Sequence, residues 1–411
     1  MTEATLLIIG AGHEQVPVIR KAKALGYRVA VTDRNPHAPG MALADLSAAI
    51  STADGPATLD FARRNGIGGV MTLSSETAVP VVALLTETLG LNGFSQATAL
   101  AATNKNVMRS RFAEWNVPTP ASEEVTTLDQ ALAFVSQHGL PAVLKPSDSS
   151  GQRGTTRLDD TAMIAEAFTL ACKAAGDGKA IIETFHEGVE INVTAAVEQG
   201  QITILSLSER VTEAAHFGIA IEHVAPPRLD EAMQQAIIEA SIKAIRAVGL
   251  SQGIAYPQVL ATKDGPKVIE IAVRIPGGHM DEVALHCSGI DMVEFSIRLA
   301  MGDPAPLASC TRHAKSPALS VLFLTARDFP QTAAVIRSVT SLEAAKAAPG
   351  VQFVRFNLVP GQTIPPLDHS GGRFGAILAL GANREEACGR TRAAASLIAL
   401  EFENSPRTAD L

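Results

Sequence analysis

Residues Leu6 to Ile9 form a short apolar run that Gly10-Ala11-Gly12 breaks. Helical spacing follows from Val16 to Leu25, Gly26 ends it, and Tyr27 to Thr32 returns to β-type residues before Asp33. Strand, glycine turn, helix and strand in so few residues read as a βαβ unit of a parallel sheet. A third strand over Gly69 to Leu73, with helices on either side, extends it. The chain therefore opens as an α/β domain of Rossmann-like type. Gly10 and Gly12 with Asp33 admit a dinucleotide reading, pyrophosphate on the glycines and ribose on the acid. Pro17 and Val18 occupy the region of the third glycine. A tight turn that needs glycine for its own backbone is the plainer reading.

A chain of 411 residues exceeds what one core usually supports, so two or three domains are expected. With 46% hydrophobic and 18% charged residues it has the composition of an ordinary globular protein. A net charge of −8 supplies no basic surplus to displace counterions, which excludes a general nucleic-acid binder. Four scattered cysteines (Cys172, Cys287, Cys310, Cys388) form no Cys-x-x-Cys pair, in keeping with a reducing compartment and no structural zinc. The apolar run after the acidic start is too short to span a bilayer. A cytoplasmic enzyme without a membrane partner is expected.

Around residues 93 to 120 the texture changes. A helix led by Thr103-Asn104-Lys105 stops near Trp115, and Val117-Pro118-Thr119-Pro120 is a rigid extended linker. Beyond it, runs at Glu190 to Val197 and Ile202 to Glu209, then at Ile254 to Thr262 and Lys267 to Val273, have an antiparallel hairpin texture. Lys263-Asp264-Gly265 marks the turn of the second pair. A long helix, Glu231 to Val248, separates the two pairs, and no internal repeat is present. The expected division is 1–93, a Rossmann-like domain; 94–312, a middle domain; and 313–411, a small α+β tail.

Within the middle part, Ala142-Val143-Leu144-Lys145 is a β run ending on a lysine that Pro146 follows. The next loop is Ser147-Asp148-Ser149-Ser150-Gly151-Gln152-Arg153-Gly154. A lysine at a strand end is a point charge aimed at one place, and a Gly/Ser loop offers backbone N–H groups to anionic oxygens. This is a phosphate-handling hairpin but not a Walker A loop, since no Gly-Lys-Ser/Thr opens a helix after it. Lys105 precedes it. Glu183-Thr184-Phe185-His186-Glu187-Gly188-Val189-Glu190 follows, then Gln258, Glu270 and Arg274-Ile275-Pro276-Gly277-Gly278. Glu270 is flanked by Ile269 and Ile271, and a charge in an apolar strand wants a partner or a metal. Strand alternation puts Arg274 on the same face as Glu270.

These elements in this order resemble the ATP-grasp superfamily of carboxylate–amine ligases, and the likeness runs from the Gly10 turn to Gly372-Arg373-Phe374-Gly375. The Glu270-Ile271-Ala272-Val273-Arg274 pattern further resembles the bacilysin-type L-amino-acid ligases. The resemblance implies an ATP-grasp fold, with residues 1–93 as its preceding Rossmann-like domain and ATP between two subdomains of 94–312. It implies that Lys105 and Lys145 contact nucleotide phosphates and that Ser149, Ser150, Gly151 and Gly154 belong to a lid. By the same resemblance, Glu183 and Phe185 form a hinge whose backbone meets the adenine edge, and Glu190 takes the ribose hydroxyls. Gln258 and Glu270 are implied as ligands of Mg²⁺, or Mn²⁺ in its place. Arg274 is implied to grip the transferred phosphoryl group, while Glu222, His223, Gly277 and Gly278 are expected near the substrates. His279 follows that turn. The implied partners are small-molecule carboxylate and amine substrates, amino acids preferred, and a homodimer is common in the family. Gln258 and Ala272 depart from the usual acid and asparagine, so the metal site is expected to be altered. Bicarbonate as the carboxylate, and a nucleotide-binding module without catalysis, are the alternatives.

Overall fold

The computed structural model describes residues 4–148, 153–213, 218–329 and 334–403. Strand Thr5–Ile9 is wholly buried in a parallel sheet, with Arg28–Thr32 on one side and Ile67–Thr72 on the other. Leu46–Ala48 adds a fourth strand outside Arg28–Thr32. Buried on both faces, these strands read as continuous apolar runs, as parallel strands do. The intervening helix, Val16–Ala24, has Pro17 in its first turn, where a missing N–H costs nothing, and Gly26 leaves it at φ +88°. Asp33 is spent on this loop. Its two carboxylate oxygens accept the N–H of Ala11 at 2.9 Å and the N–H of Asn35 at 2.9 Å. The dinucleotide reading thereby loses its acidic anchor to the turn itself.

A second, antiparallel sheet runs Ser122–Val125, Ala180–Thr184, Ala142–Pro146 and Thr156–Leu158 in spatial order. Ala142, Leu144, Ala180 and Ile182 pack on one face against helices Leu128–His138 and Ile164–Ala174. Alternation then sends Lys145 and Glu183 to the opposite face. Strands Gly265–Ala272, Gly253–Thr262, Val189–Glu198 and Gln201–Thr212 lie side by side in that order. Ile191, Val193, Val259 and Ile271 bury one face beneath Ile237, Ala244 and Ile245 of helix Glu231–Ala247. The other face carries Glu190, Asn192, Gln258 and Glu270, and turns apolar only farther along, at Ala196 and Ile254.

The chain divides into two compact units, the first built from Met1–Ser150, Gly154–Leu207 and Leu229–Lys315, the second mainly from Ser208–Arg228 and Ser316–Leu411. In the second unit strand Ala220–Ala225 pairs with the end of Gln201–Thr212 and with Ala318–Leu324. Gly375–Gly381 and Val351–Phe356 continue that sheet. That pairing is why residues 208–228, expected within the middle domain, pack with the tail.

Candidate active site

Helix Lys105–Glu114 of the first unit begins at an Asn104 cap, whose side-chain oxygen accepts the N–H groups of Asn106 and Val107. The N–H of Lys105 donates to the carbonyl of Ser147 at 2.8 Å, tying the helix start to the end of the strand that carries Lys145. A cation in the first turn opposes the helix dipole. Lys105 is therefore a poor choice for helix stability and a good one for a site that takes an anion. Burial lowers the pKa of its ammonium; Lys145 adds to the fall, while Glu270, Glu183 and Glu76 act against it.

Glu183 is 2% exposed and holds two cations. One oxygen accepts Nε and Nη2 of Arg109 at 2.9 and 2.5 Å, and the other accepts Nζ of Lys145 at 2.6 Å. Burial alone would push this carboxyl up; Arg109 and Lys145 more than reverse that and hold it at about 2. Nη2 of Arg109 also donates to the carbonyl of Ile269 at 2.6 Å, one residue before Glu270. Sequence reasoning placed Glu183 by its backbone and passed over Arg109. The backbone of Glu183 is in register with Val143 inside the sheet, and the N–H of Phe185 donates to the carbonyl of Pro141 at 3.1 Å. The available signal was spacing: Lys105 and Arg109 are i, i+4 on one helix face.

Asn192, Gln258 and Glu270 are register partners across three adjacent strands, so they form one row on the polar sheet face. A bulge follows Gln258 where its strand pairs with that of Glu270. Asn192, completely buried, was not singled out from sequence; it shows itself only once the register is known. Beyond the row, Arg274 gives Nε and Nη2 to Glu76 Oε2, both at 2.8 Å, and Nη1 to the carbonyl of Ile275 at 3.3 Å. Glu76 comes from the Rossmann-like part, which sequence reading did not connect to the site. There Ser74 donates its N–H to the carbonyl of Ile275 at 2.9 Å. Gly277 sits so close to Ser74 that a Cβ would lie 2.3 Å from its Oγ, and Gly278 has φ +69°. The positive φ favours glycine at 278, and a side chain at 277 would have to displace the Ser74 hydroxyl.

The segment joining the two sheets is 185–188. The Arg157 guanidinium lies 4.2 Å from the Phe185 ring centroid, and a Cβ at Gly188 would come within 2.4 Å of the Ala261 carbonyl oxygen. Glu190, second residue of the next strand, lies on the same face as Asn192. Gly154 has φ +72°, and a Cβ there would meet Ala174 and Pro146. Ser149, Ser150 and Gly151 lie outside the described residues.

The second unit carries two of the residues expected near the substrates. Glu222 and His223 are neighbours on a strand and project from opposite faces. Glu222 accepts the Ser320 hydroxyl at 2.7 Å and pairs with Arg392 at 3.1 Å, so its carboxylate serves the packing of helix Arg384–Leu397. His223 lies on the other face, edge-on to Phe323 at 5.2 Å. Cys287 in the first unit is helical, and burial pushes its thiol up to about 12, which removes it as a nucleophile.

The residues present fit Mg²⁺ held together with nucleotide phosphates. Glu270 and Gln258 offer one carboxylate and one amide oxygen. Among the described residues, no group of three or more His, Cys, Asp or Glu gathers as a closed cage. A small hard cation that keeps waters and takes phosphate oxygens needs no more from the protein. Among the described residues, no helix is long and apolar enough to cross a membrane.

Residues 104–308 match the family model of the carbamoyl-phosphate synthase L chain, ATP binding domain. Residues 329–403 match that of the L-amino acid ligase C-terminal domain 2. The chain is 28% identical over 261 residues to the alanine–anticapsin ligase of Bacillus subtilis, a match taking in 58% of this chain and only 55% of that protein. It is 25% identical over 403 residues to a formate-dependent phosphoribosylglycinamide formyltransferase of Marinobacter nauticus, covering 97% of each. The crystal structure of an L-amino acid ligase from Bacillus licheniformis superposes with a TM-score of 0.82 at 24% identity, over 98% of this chain and 99% of that one.

Proposed function

Since the chain belongs to the ATP-grasp family of carboxylate–amine ligases, whose members are ADP-forming carbon–nitrogen ligases, we propose that it joins an amino-acid carboxylate to an amine at this site. The carboxylate oxygen attacks the γ-phosphorus of ATP, the bond to the β-phosphate oxygen breaks, and ADP leaves. The amine nitrogen of the second substrate then attacks the acyl carbon of the acyl-phosphate. The carbon–oxygen bond to phosphate breaks, and the nitrogen gives up its proton as the amide forms. Phosphoryl transfer asks the protein for position and charge rather than for a nucleophile. Lys105 and Lys145 supply cations for the phosphates. Arg274 turns from Glu76 onto the transferred group, where a planar fork matches phosphoryl oxygens. Mg²⁺ bound at Glu270 and Gln258 would neutralise phosphate charge. Phe185 and Glu190 border the nucleoside, and Gly154 closes the lid segment.

The observation that carries this reading is that one carboxylate, Glu183, holds both Lys145 and Arg109 while Arg109 also reaches the carbonyl beside Glu270, so that residues of four separate segments meet at one place. Phosphate release measured across a panel of amino-acid pairs, with the product identified by mass, tests it. An ATP- and Mg²⁺-dependent amide is the expected product, and turnover with bicarbonate or formate alone would overturn the amino-acid assignment. A small carboxylate is the second reading, favoured by the end-to-end match to the formate-dependent enzyme.

A further inference from the structure

Arg109 is 7% exposed, and its guanidinium bridges strands Ala180–Thr184 and Gly265–Ala272. Through Glu183 it reaches the ammonium of Lys145, which takes the second oxygen of the same carboxylate. Through the Ile269 carbonyl it reaches the strand of Glu270. Packing does not require this. Desolvating such charges is expensive, and an apolar group of similar volume usually holds a helix against strands at least as well. An apolar group would not fix the direction of a neighbouring ammonium, nor hold a carbonyl at hydrogen-bond distance. The planar fork of arginine does both at once.

We propose that Arg109 is a positioning residue for the bound nucleotide. Acting through Glu183 it sets Lys145, and through the Ile269 carbonyl it sets Glu270, so one side chain fixes the spacing between the phosphate cation and the metal-side acid. This rests on the ligase reading only in taking the bound ligand to be a magnesium nucleotide.

Arg109→Lys keeps the charge and loses the fork. Calorimetric binding of MgADP, and of ADP in EDTA, is compared with the thermal midpoint of the free protein. The variant is expected to bind MgADP about tenfold or more weakly, as when a group supporting a metal ligand is changed. The loss for metal-free ADP is smaller, because only the Lys145 end then counts. A second arm combines Arg109→Lys with Lys145→Ala, and the combined loss falls short of the sum of the single losses. Wild-type MgADP binding by Arg109→Lys, or additive losses, overturns the proposal, whatever happens to the thermal midpoint. Should Arg109→Lys fail to fold, Arg109→Gln with Glu183→Gln removes both charges together; the same weakened binding is expected, and unchanged binding overturns the proposal. Wild-type protein that binds MgADP yet makes no amide overturns the ligase reading alone. Wild-type protein that binds no MgADP overturns both.

Discussion

Glu183 and Glu270 are both carboxylates on polar sheet faces of the same compact unit, yet their surroundings differ. Glu183 is 2% exposed and saturated by Arg109 and Lys145, so its negative charge is already neutralised within the protein. Glu270 is half-buried, and its register partner is the neutral amide of Gln258. A saturated buried carboxylate organises what surrounds it, whereas one left beside a neutral amide keeps charge for an incoming cation. The family resemblance put both at the nucleotide, Glu183 through its backbone and Glu270 as a metal ligand. The structure separates a brace from a candidate metal ligand.

The sharpest way to break that contrast is to neutralise each acid in turn. Glu270→Gln is expected to lower ATP turnover about a thousandfold or more, the scale seen when a preorganised charge is removed from a transition state. Its circular dichroism and unfolding midpoint stay near wild type. Turnover retained in this variant would place the metal site elsewhere. Glu183→Ala has the opposite signature. It strands Arg109 and Lys145 without their counter-charge and costs about 3–5 kcal/mol in urea unfolding, as broken buried pairs do. A loss below about 1 kcal/mol would mean that water replaces the carboxylate, and the brace reading would fail.

Acid sharpens the same distinction. The folded Glu183 carboxyl is held at about 2, below its ordinary value of 4.5. The unfolded chain therefore takes up the proton first as pH falls, so the stabilisation from Glu183 is full above about pH 4.5 and decays as pH approaches 2. Urea midpoints measured from pH 6 down to pH 2.5 should fall more steeply for wild type than for Glu183→Gln over that window. Parallel curves would show that the acid sensitivity belongs to other carboxylates.

How far this was legible depended on the range of the interaction. Local chemistry spoke plainly: the Gly10 turn, the strand carrying Lys145 (which runs one residue further, to Pro146), the Lys263-Asp264 hairpin and the apolar flanks of Glu270 each encode their place within a few residues. Pairings across the chain did not. Glu76 lies 198 residues from Arg274, and Arg109 lies 74 from Glu183 and 160 from Ile269, distances over which no periodicity speaks. Asn192 looks like any polar strand residue until the register sets it beside Gln258. Glu222 and His223 were carried over together from the family resemblance, and adjacency in a strand places them on opposite faces.

That last point carries the smallest effect and extends the contrast to the second unit. Glu222, like Glu183, is almost fully buried and has a cationic partner, yet its partner Arg392 is 64% exposed, against 7% for Arg109. Water already solvates most of that guanidinium, so the pair gains little over its separated state, while the Ser320 hydroxyl stays on the carboxylate. Arg392→Ala is accordingly expected to shift unfolding by no more than about 1 kcal/mol. Raising salt to about 1 M should shrink even that difference, since exposed pairs are screened and buried ones much less so. A loss of 3 kcal/mol, insensitive to salt, would put Glu222–Arg392 in the same class as Glu183–Arg109 and make exposure a poor guide to which ion pairs brace this fold.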